Sequence, residues 1–283
     1  METPYAKTRE ILTELRYKIG LEGILFRDGE AFHGVKTEEC CIAGNALIAT
    51  ACAMLGKTER AKAMLAKLSR RIKSDRRHYY DGINVTDLCA GDMGCMAIGY
   101  ASIGKQKKAK QLLEECLAIQ AEQKSIGVIG ESCFVGFRED YYNGLEINLT
   151  CESALTAIAY AATGNCEKAK EIFEETETQA NRKGRLYHRA WCSGDYGENP
   201  YNRYVASDNA SMAILHIIMG HSEEVKRIIS GLEEVIGKRG ALYHKEKHAN
   251  NIETFPNAFM AIGYGMLDGA SLGLFRIPKS KNE

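Results

Sequence analysis

The chain has 283 residues, of which 45% are hydrophobic, and its 37 Lys and Arg residues balance its 37 Asp and Glu residues. This hydrophobic content supports a large folded core and excludes a disordered chain. The balanced charge gives no reason to expect nucleic acid or a membrane surface as a partner.

The chain starts without a basic stretch followed by an apolar one, so we expect no signal peptide. No apolar run approaches the roughly 20 residues of a membrane span. The ten cysteines are expected to be reduced thiols that pack as small apolar side chains, because no export signal points to an oxidising compartment. These features predict a cytoplasmic protein.

The sequence contains an internal repeat marked by four glycines, Gly56, Gly104, Gly164 and Gly220. A segment rich in Ala and Gly and nearly without charge precedes each glycine. The segment that follows has Lys, Glu and Arg on one face and Leu, Ile or Phe on the other. A helix that is apolar all round is buried, whereas an amphipathic helix lies at a surface. We therefore predict helical hairpins, each with an inner first helix and an outer second helix.

One hairpin is divided between the two ends of the chain. A fifth inner-helix pattern occurs at 257–262 with no second helix after it, and 5–19 matches the outer-helix pattern. An open solenoid has no reason to begin and end on half-repeats, but a closed ring joins the halves and removes both exposed ends. We predict an all-α fold, an α/α toroid of about five hairpins closed by its terminal helices. It forms one domain over 1–270, with a C-terminal tail over 271–283.

Long connections separate the hairpins, and several open with a glycine followed by β-prone residues. These glycine-led pieces are 23–26, 127–130, 184–188 and 240–244. They predict short strands or hairpins at one rim of the ring. Long loops gathered on one face of a rigid scaffold are where function usually lies.

Acidic residues stand near the start of three successive inner helices: Asp92, Glu152 and Asp208. Ordinary N-capping explains an acid at such a position, because a carboxylate complements the helix dipole. The alternative is catalysis. Neighbouring inner helices would lie about 8–10 Å apart, close to the roughly 6.5–9.5 Å between the carboxyl groups of an inverting glycosidase. Both interpretations stay open at this point.

Two connections, 125–149 and 183–206, combine aromatic with polar side chains, and the second contains the only tryptophan. An aromatic wall beside Arg, Asp and His suits a sugar ring, whose faces are apolar and whose edges carry hydroxyl groups. The candidate substrate-binding residues are His188, Trp191, Tyr204, Asp195, Tyr141 and His244.

The sequence lacks the common motifs of metal and nucleotide sites. The sequence has no Cys-x-x-Cys pair, and the adjacent Cys40 and Cys41 are poorly arranged as two ligands of one ion. A zinc site assembled from separate loops is left open, as is a Cys192 nucleophile with His188. Complete Gly-x-Gly-x-x-Gly and Walker motifs are absent. We expect neither a cofactor nor a metal.

The segment 184–212 resembles the loop-and-helix unit of the six-hairpin glycosidase-like superfamily of α/α toroids. It reads Leu186-Tyr187-His188, then Trp191, then Ala-Ser-Asp-Asn-Ala over 206–210. The resemblance implies a carbohydrate-active enzyme, either a glycoside hydrolase or a sugar epimerase. The chain departs from this family in having five apparent hairpins and Cys192-Ser193 after the tryptophan.

The hairpins, as in 157–173, also resemble tetratricopeptide repeats. That family packs a repeat into 34 residues, whereas successive glycine markers here are 48, 60 and 56 residues apart. A non-enzymatic, tetratricopeptide-like scaffold that binds proteins is therefore the alternative function.

The sequence as a whole favours a carbohydrate-active enzyme acting on a small cytoplasmic saccharide. In a hydrolase, we expect Asp208 to donate the proton and Glu152 to act as the base, with Asp92 able to replace either. In an epimerase, His188 or His244 would transfer the proton. The identity of the sugar, the choice between these reactions and assembly as a homodimer stay open.

Overall fold

The computed structural model describes residues 5–27, 41–74, 77–80, 83–86, 90–125, 147–179, 182–187, 190–192, 204–245, 252–273 and 275. Helices dominate these ranges. The α-helices are α1 (Ala6–Lys18), α2 (Ile42–Met54), α3 (Thr58–Ser74), α4 (Ala90–Ser102), α5 (Gln106–Ser125), α6 (Thr150–Ala162), α7 (Cys166–Gln179), α8 (Ala206–Ile218), α9 (Ser222–Gly231) and α10 (Thr254–Leu267), and a π-helix (Leu232–Ile236) continues α9. Among the helices of these residues, none combines the length and the hydrophobicity that a bilayer span requires.

The strands are short and pair in antiparallel twos. The pairs are β1 (Leu21–Glu22) with β2 (Leu25–Phe26), β3 (Arg77–Tyr80) with β4 (Ile83–Thr86), β5 (Ile147–Leu149) with β8 (Ala190–Cys192), β6 (Arg182–Lys183) with β7 (Leu186–Tyr187), and β9 (Lys238–Arg239) with β10 (Leu242–Tyr243). Three of the hairpins predicted from glycine-led segments are thereby confirmed, and the fourth, at 127–130, lies outside the described residues. The β5–β8 pair, which joins two different connections, was not anticipated.

The even-numbered helices form a closed inner ring. Each packs against two others, in the order α2, α4, α6, α8, α10 and back to α2. The odd-numbered helices lie outside, and each packs on the inner helix of its own hairpin. Every residue of α10 from Pro256 to Met266 is buried, as expected for a helix with neighbours on all sides. The predicted α/α toroid is confirmed.

Each inner helix ends at a glycine in the left-handed conformation. These glycines are Gly56 (φ 74°), Gly104 (φ 77°), Gly164 (φ 92°), Gly220 (φ 79°) and Gly269 (φ 90°). In the first turn the glycine N–H donates to Ala53 O and the N–H of Lys57 donates to Cys52 O. The other four turns repeat this pair of bonds, which is the Schellman arrangement. Only glycine adopts this conformation without strain, which explains the repeat marker.

The first and last helices close the ring. Helix α1 packs on α10, where Thr8 Oγ1 donates to Ala261 O at 3.0 Å. The N–H of Tyr5 donates to Asp268 Oδ2 at 2.8 Å. The predicted pairing of the two terminal half-hairpins is therefore confirmed, and the contacts exclude an open superhelix.

The end of the described chain lies across the C-terminal ends of three inner helices. A Cβ added at Gly273 would lie 2.3 Å from Ala162 O of α6 and 2.9 Å from Ala101 Cβ of α4. Phe275 lines a cavity with Ile218 of α8 and is itself buried. This segment covers one end of the ring, so the candidate site is expected at the opposite end. The domain division at residue 270 stays a prediction.

Removal of residues 1–19 should abolish cooperative folding. Ile11, Leu15 and Ile19 are fully buried, and burial of each such side chain contributes about 1.5–3 kcal/mol. Their sum is on the order of the whole stability of a typical domain.

The measurement is thermal unfolding of the truncated chain, alone and with a synthetic 1–19 peptide. We expect the peptide to restore a cooperative transition, and a control peptide with Ile11→Asp and Leu15→Asp to fail. A truncated chain that unfolds like the full chain would contradict the closure.

Candidate functional site

The starts of the inner helices meet at the rim opposite Gly273. A Cβ built on Gly44 of α2 would lie 3.1 Å from Thr254 Cγ2 of α10, so the first turns of these helices touch. The connections 28–40, 87–89, 126–146, 193–203 and 246–251 lie next to this rim in sequence and outside the described residues. The described part of the site therefore consists of helix starts and short strands. Helix N-termini at one rim together favour negative charge there.

The carboxylates at this rim bond to neighbouring helices. Asp92 Oδ1 accepts the N–H of Ala43 at 3.0 Å, and Asp208 Oδ1 accepts the N–H of Cys151 at 3.0 Å. Each aspartate is the third residue of its helix and caps the second residue of the preceding inner helix. The capping interpretation thus needs correction: the bonds that the structure describes for these two acids go to the adjacent helix, because the ring brings the helix starts together.

The two aspartates differ in exposure. Asp208 is 2% exposed, whereas Asp92 is half-buried. A bond from a backbone N–H stabilises the ionised form of a carboxylate. Glu152 occupies the same third position of α6, directly after Cys151. The Asp208 carboxylate is therefore bonded to the residue that precedes Glu152.

Three asparagines in the next position hold the β-hairpins against the ring. Asn209 Oδ1 accepts the N–H of Tyr187 at 2.8 Å, and its Nδ2 donates to Tyr187 O at 3.0 Å and to Val205 O at 3.1 Å. Asn45 holds Phe26 and Asn257 holds Tyr243 through the same bonds. Each amide accepts the backbone N–H and donates to the backbone C=O of one strand residue, as a neighbouring strand would, and so satisfies both buried groups.

The asparagine clamp was not predicted from the sequence. A signal for it exists. A glycine-led segment ending in Leu and an aromatic residue occurs with a fourth-position Asn three times, at Phe26 with Asn45, at Tyr187 with Asn209 and at Tyr243 with Asn257.

Several predicted site residues gather around the starts of α6 and α8. Strand β8 places Trp191 opposite Asn148, just before α6. The N–H of Ala206 donates to Lys245 O at 2.8 Å, so His244 lies beside the start of α8. Tyr204 lies two residues before that start, and burial raises the pKa of its hydroxyl.

The remaining predicted residues are not all described. Tyr141, His188 and Asp195 lie outside the described residues, and the structure describes only the backbone of Glu152 and Trp191. Asp92 lies on α4, one helix away from the α6–α8 group, and bonds to α2.

The described residues contain no group of three His, Cys, Asp or Glu side chains arranged to hold a metal ion. The sequence does contain a His-x-x-x-His spacing, at His244 and His248. That spacing places two ligands on one face only when it lies on a helix. His244 follows strand β10 and pairs with Ile252 in a β-bridge, and His248 lies outside the described residues.

Three surface cavities are lined by described residues, with volumes of about 540, 530 and 510 Å³. They open near the Gly164 and Gly220 turns, at the end of the ring opposite the aspartates. None of the predicted site residues lines these three cavities.

The described fold is similar to several solved structures. A glycoside hydrolase family 76 mannosidase from Bacteroides thetaiotaomicron is 9% identical with a TM-score of 0.50, over 93% of this chain and 97% of that chain. An α-amylase from Clostridium perfringens is 10% identical with a TM-score of 0.50, over 94% and 99%. An α-1,6-mannanase from Salegentibacter is 10% identical with a TM-score of 0.50, over 94% and 100%.

At these identities the similarity shows the fold alone. That fold is an α/α toroid, as the sequence predicted. No protein-family model matches the sequence, and the comparison with curated proteins finds no match.

Replacing Asn257 by Ala should destabilise the protein by about 3 kcal/mol, because the buried N–H and C=O of Tyr243 lose their partner. A matched control is Asn165→Ala, which removes an exposed bond to the N–H of Lys168 and should cost about 1 kcal/mol or less. Urea unfolding measures both. Equal losses in the two variants would contradict a clamp role.

Replacing Asp92 by Ala should cost about 1 kcal/mol, because the N–H of Ala43 loses its cap. Asp92→Asn should cost less, since an amide oxygen still accepts the bond. Thermal unfolding of both variants checks this order, and equal stability of Asp92→Ala and the unsubstituted protein would remove the structural role.

Proposed function

We propose that this protein is a carbohydrate-active enzyme that hydrolyses a small saccharide at the rim formed by the inner-helix starts. One observation carries the proposal. The Asp208 carboxylate is buried and bonded to Cys151, next to Glu152. Two acidic residues on adjacent inner helices thus stand at the rim opposite Gly273 and Phe275, and glycosidic hydrolysis uses two carboxyl groups.

The surroundings of Asp208 act on its proton in opposite directions. The N–H bond from Cys151 stabilises the ionised carboxylate, whereas burial favours the neutral acid that a proton donor needs. Asp208 and Glu152 therefore keep the roles expected from the sequence, with Asp208 as the proposed proton donor and Glu152 as the proposed base. Asp92 accepts an N–H bond in the same way and could supply a second ionised group.

The aromatic and polar residues of the same sector are the candidates for binding the sugar. The backbone of Trp191 pairs with Asn148, just before α6. Tyr204 and His244 lie beside α8. Tyr141, His188 and Asp195 complete the proposed binding residues. Since the similar structures are described as mannosidase, mannanase and amylase, mannose- and glucose-containing oligosaccharides are the first substrates to test. The cytoplasmic location stays a prediction.

The first experiment is a screen of the purified protein against α- and β-linked mannose and glucose oligosaccharides. Thermal shift reports binding, and reducing-sugar release reports hydrolysis. Asp208→Asn and Glu152→Gln should each reduce turnover by about 10²–10⁴-fold, the usual contribution of an acid or base. Both substitutions remove a charge and keep a similar shape.

The matched control is Asp268→Asn. Asp268 also accepts a backbone N–H, from Tyr5, but at the closure of α1 on α10. Its substitution should leave turnover unchanged. Turnover that survives in both Asp208→Asn and Glu152→Gln would overturn the assignment, and a protein that binds no saccharide would favour the scaffold alternative.

A sugar epimerase is kept as a second candidate, and the bond from the N–H of Ala206 to the carbonyl of Lys245, next to His244, supports it. It predicts incorporation of solvent deuterium into a monosaccharide without release of reducing ends. In an epimerase, His244→Gln should abolish the exchange. In a hydrolase, turnover should depend on Asp208 and Glu152 instead.

A further inference from the structure

The Schellman turn after α8 differs from the other four in the two residues that its longer hydrogen bond joins. Here the N–H of His221 donates to His216 O at 2.8 Å. In the other turns the same bond joins Lys57 to Cys52, Lys105 to Tyr100, Asn165 to Tyr160 and Ala270 to Gly265. Among these five turns, only the one after α8 has a histidine at both positions.

The turn brings the same nitrogen of the two rings together. His216 Nδ1 lies 3.3 Å from His221 Nδ1. In a tetrahedral zinc site with Zn–N bonds of about 2.0–2.1 Å, two imidazole nitrogens are about 3.3–3.4 Å apart. The spacing of the pair therefore equals that of two ligands on one tetrahedral ion.

The partners of His216 fix which of its nitrogens carries the lone pair. The Tyr187 hydroxyl donates to Glu177 Oε1, so its oxygen accepts from His216 Nε2, 2.8 Å away. A neutral imidazole with its proton on Nε2 has a lone pair on Nδ1. Histidines that bind metals usually donate their other N–H to a neighbouring oxygen, which fixes the tautomer and the ring orientation. His216 has this arrangement.

Packing holds both rings in place. The ring of Phe173 contacts the rings of His216 and His221, at 5.1 and 5.7 Å between centroids. The carbonyl of His221 accepts the N–H groups of Glu224 and Val225 at the start of α9. Side chains that are already oriented lose less conformational entropy when they bind a ligand.

A cavity connects the pair with solvent. His216 and His221 both line the cavity of about 530 Å³ beside the Gly220 turn. Three acidic side chains and one basic side chain also line it: Glu177, Glu223, Glu224 and Arg227. An excess of carboxylates around a cleft attracts cations. An ion can therefore reach the two imidazoles, and the surroundings favour a positive one.

We propose that His216 and His221 bind a divalent transition-metal ion, such as Zn²⁺, through their Nδ1 atoms. Imidazole is a favoured ligand of these ions. The ion replaces the proton that the two nitrogens share, and that proton moves to His221 Nε2. The described residues contain no group of three metal-binding side chains, so water completes the coordination from the cavity. The ion ties the end of α8 to the start of α9.

The first test is titration of the metal-free full chain with Zn²⁺, followed by calorimetry and thermal unfolding. We expect one zinc ion per chain and a rise in Tm of about 5 °C when free zinc is about 100-fold above its Kd. Mg²⁺, which prefers oxygen ligands, should leave Tm unchanged. An absence of saturable zinc binding would overturn the proposal.

The matched variants remove one histidine each. His221→Gln changes an exposed residue and should abolish the rise in Tm caused by zinc. The control is His244→Gln, because His244 and His248 form a His-x-x-x-His spacing elsewhere in the chain. This control should keep the rise. A rise that persists in His221→Gln, or that His244→Gln removes, would place the metal elsewhere and refute the assignment.

Long-range ¹H–¹⁵N NMR identifies the nitrogens that bind the ion. Without zinc, His216 should carry its proton on Nε2 and His221 on Nδ1. With zinc, both should carry it on Nε2, and both Nδ1 signals should shift. A zinc-induced shift at Nε2 of either ring in place of Nδ1 would contradict the proposal. These readouts do not use catalytic activity, so they are independent of the proposed hydrolysis.

Discussion

Pairing of the first outer helix with the last inner helix is the contact on which the rest of the structure depends. With α1 on α10 and α10 on α2, each inner helix has two inner neighbours and one outer helix. Closure is what allows Ala- and Gly-rich segments to be buried on all sides. At Gly99, an added Cβ would lie 2.7 Å from Leu65 Cδ2, so a larger residue would push the helices apart.

Closure also explains why polar side chains at the rim are buried. Asp92 and Asp208 tie one helix start to the next, and Asn209 and its equivalents tie helix starts to strands. Buried polar groups are tolerated when their bonds are satisfied. These bonds fix the geometry of the rim, and a catalytic carboxylate at Asp208 would have a structural duty as well.

The repeats differ at two equivalent positions of the inner helices. The clamp position holds Asn in α2, α8 and α10 but Met93 in α4 and Ser153 in α6. The position seven residues later holds His216 in α8 and Tyr264 in α10. A repeat fold keeps its packing as long as each unit fits its neighbours, so chemistry specific to one sector arises by substitution within the common frame. Function is then a property of particular sites, not of the toroid.

The amino-acid sequence by itself determined the hairpins, the inner and outer layers and the closed ring, and it pointed to three of the β-hairpins. These features depend on local periodicity and on glycines such as Gly56, whose left-handed turn is set within a few residues. Only the tertiary structure decided the partners of Asp208 and Asn209 and the β5–β8 pair. Asp208 is 57 residues from its partner Cys151. A residue type shows that a side chain can accept a proton or a hydrogen bond, but the partner depends on which elements the closed ring brings together.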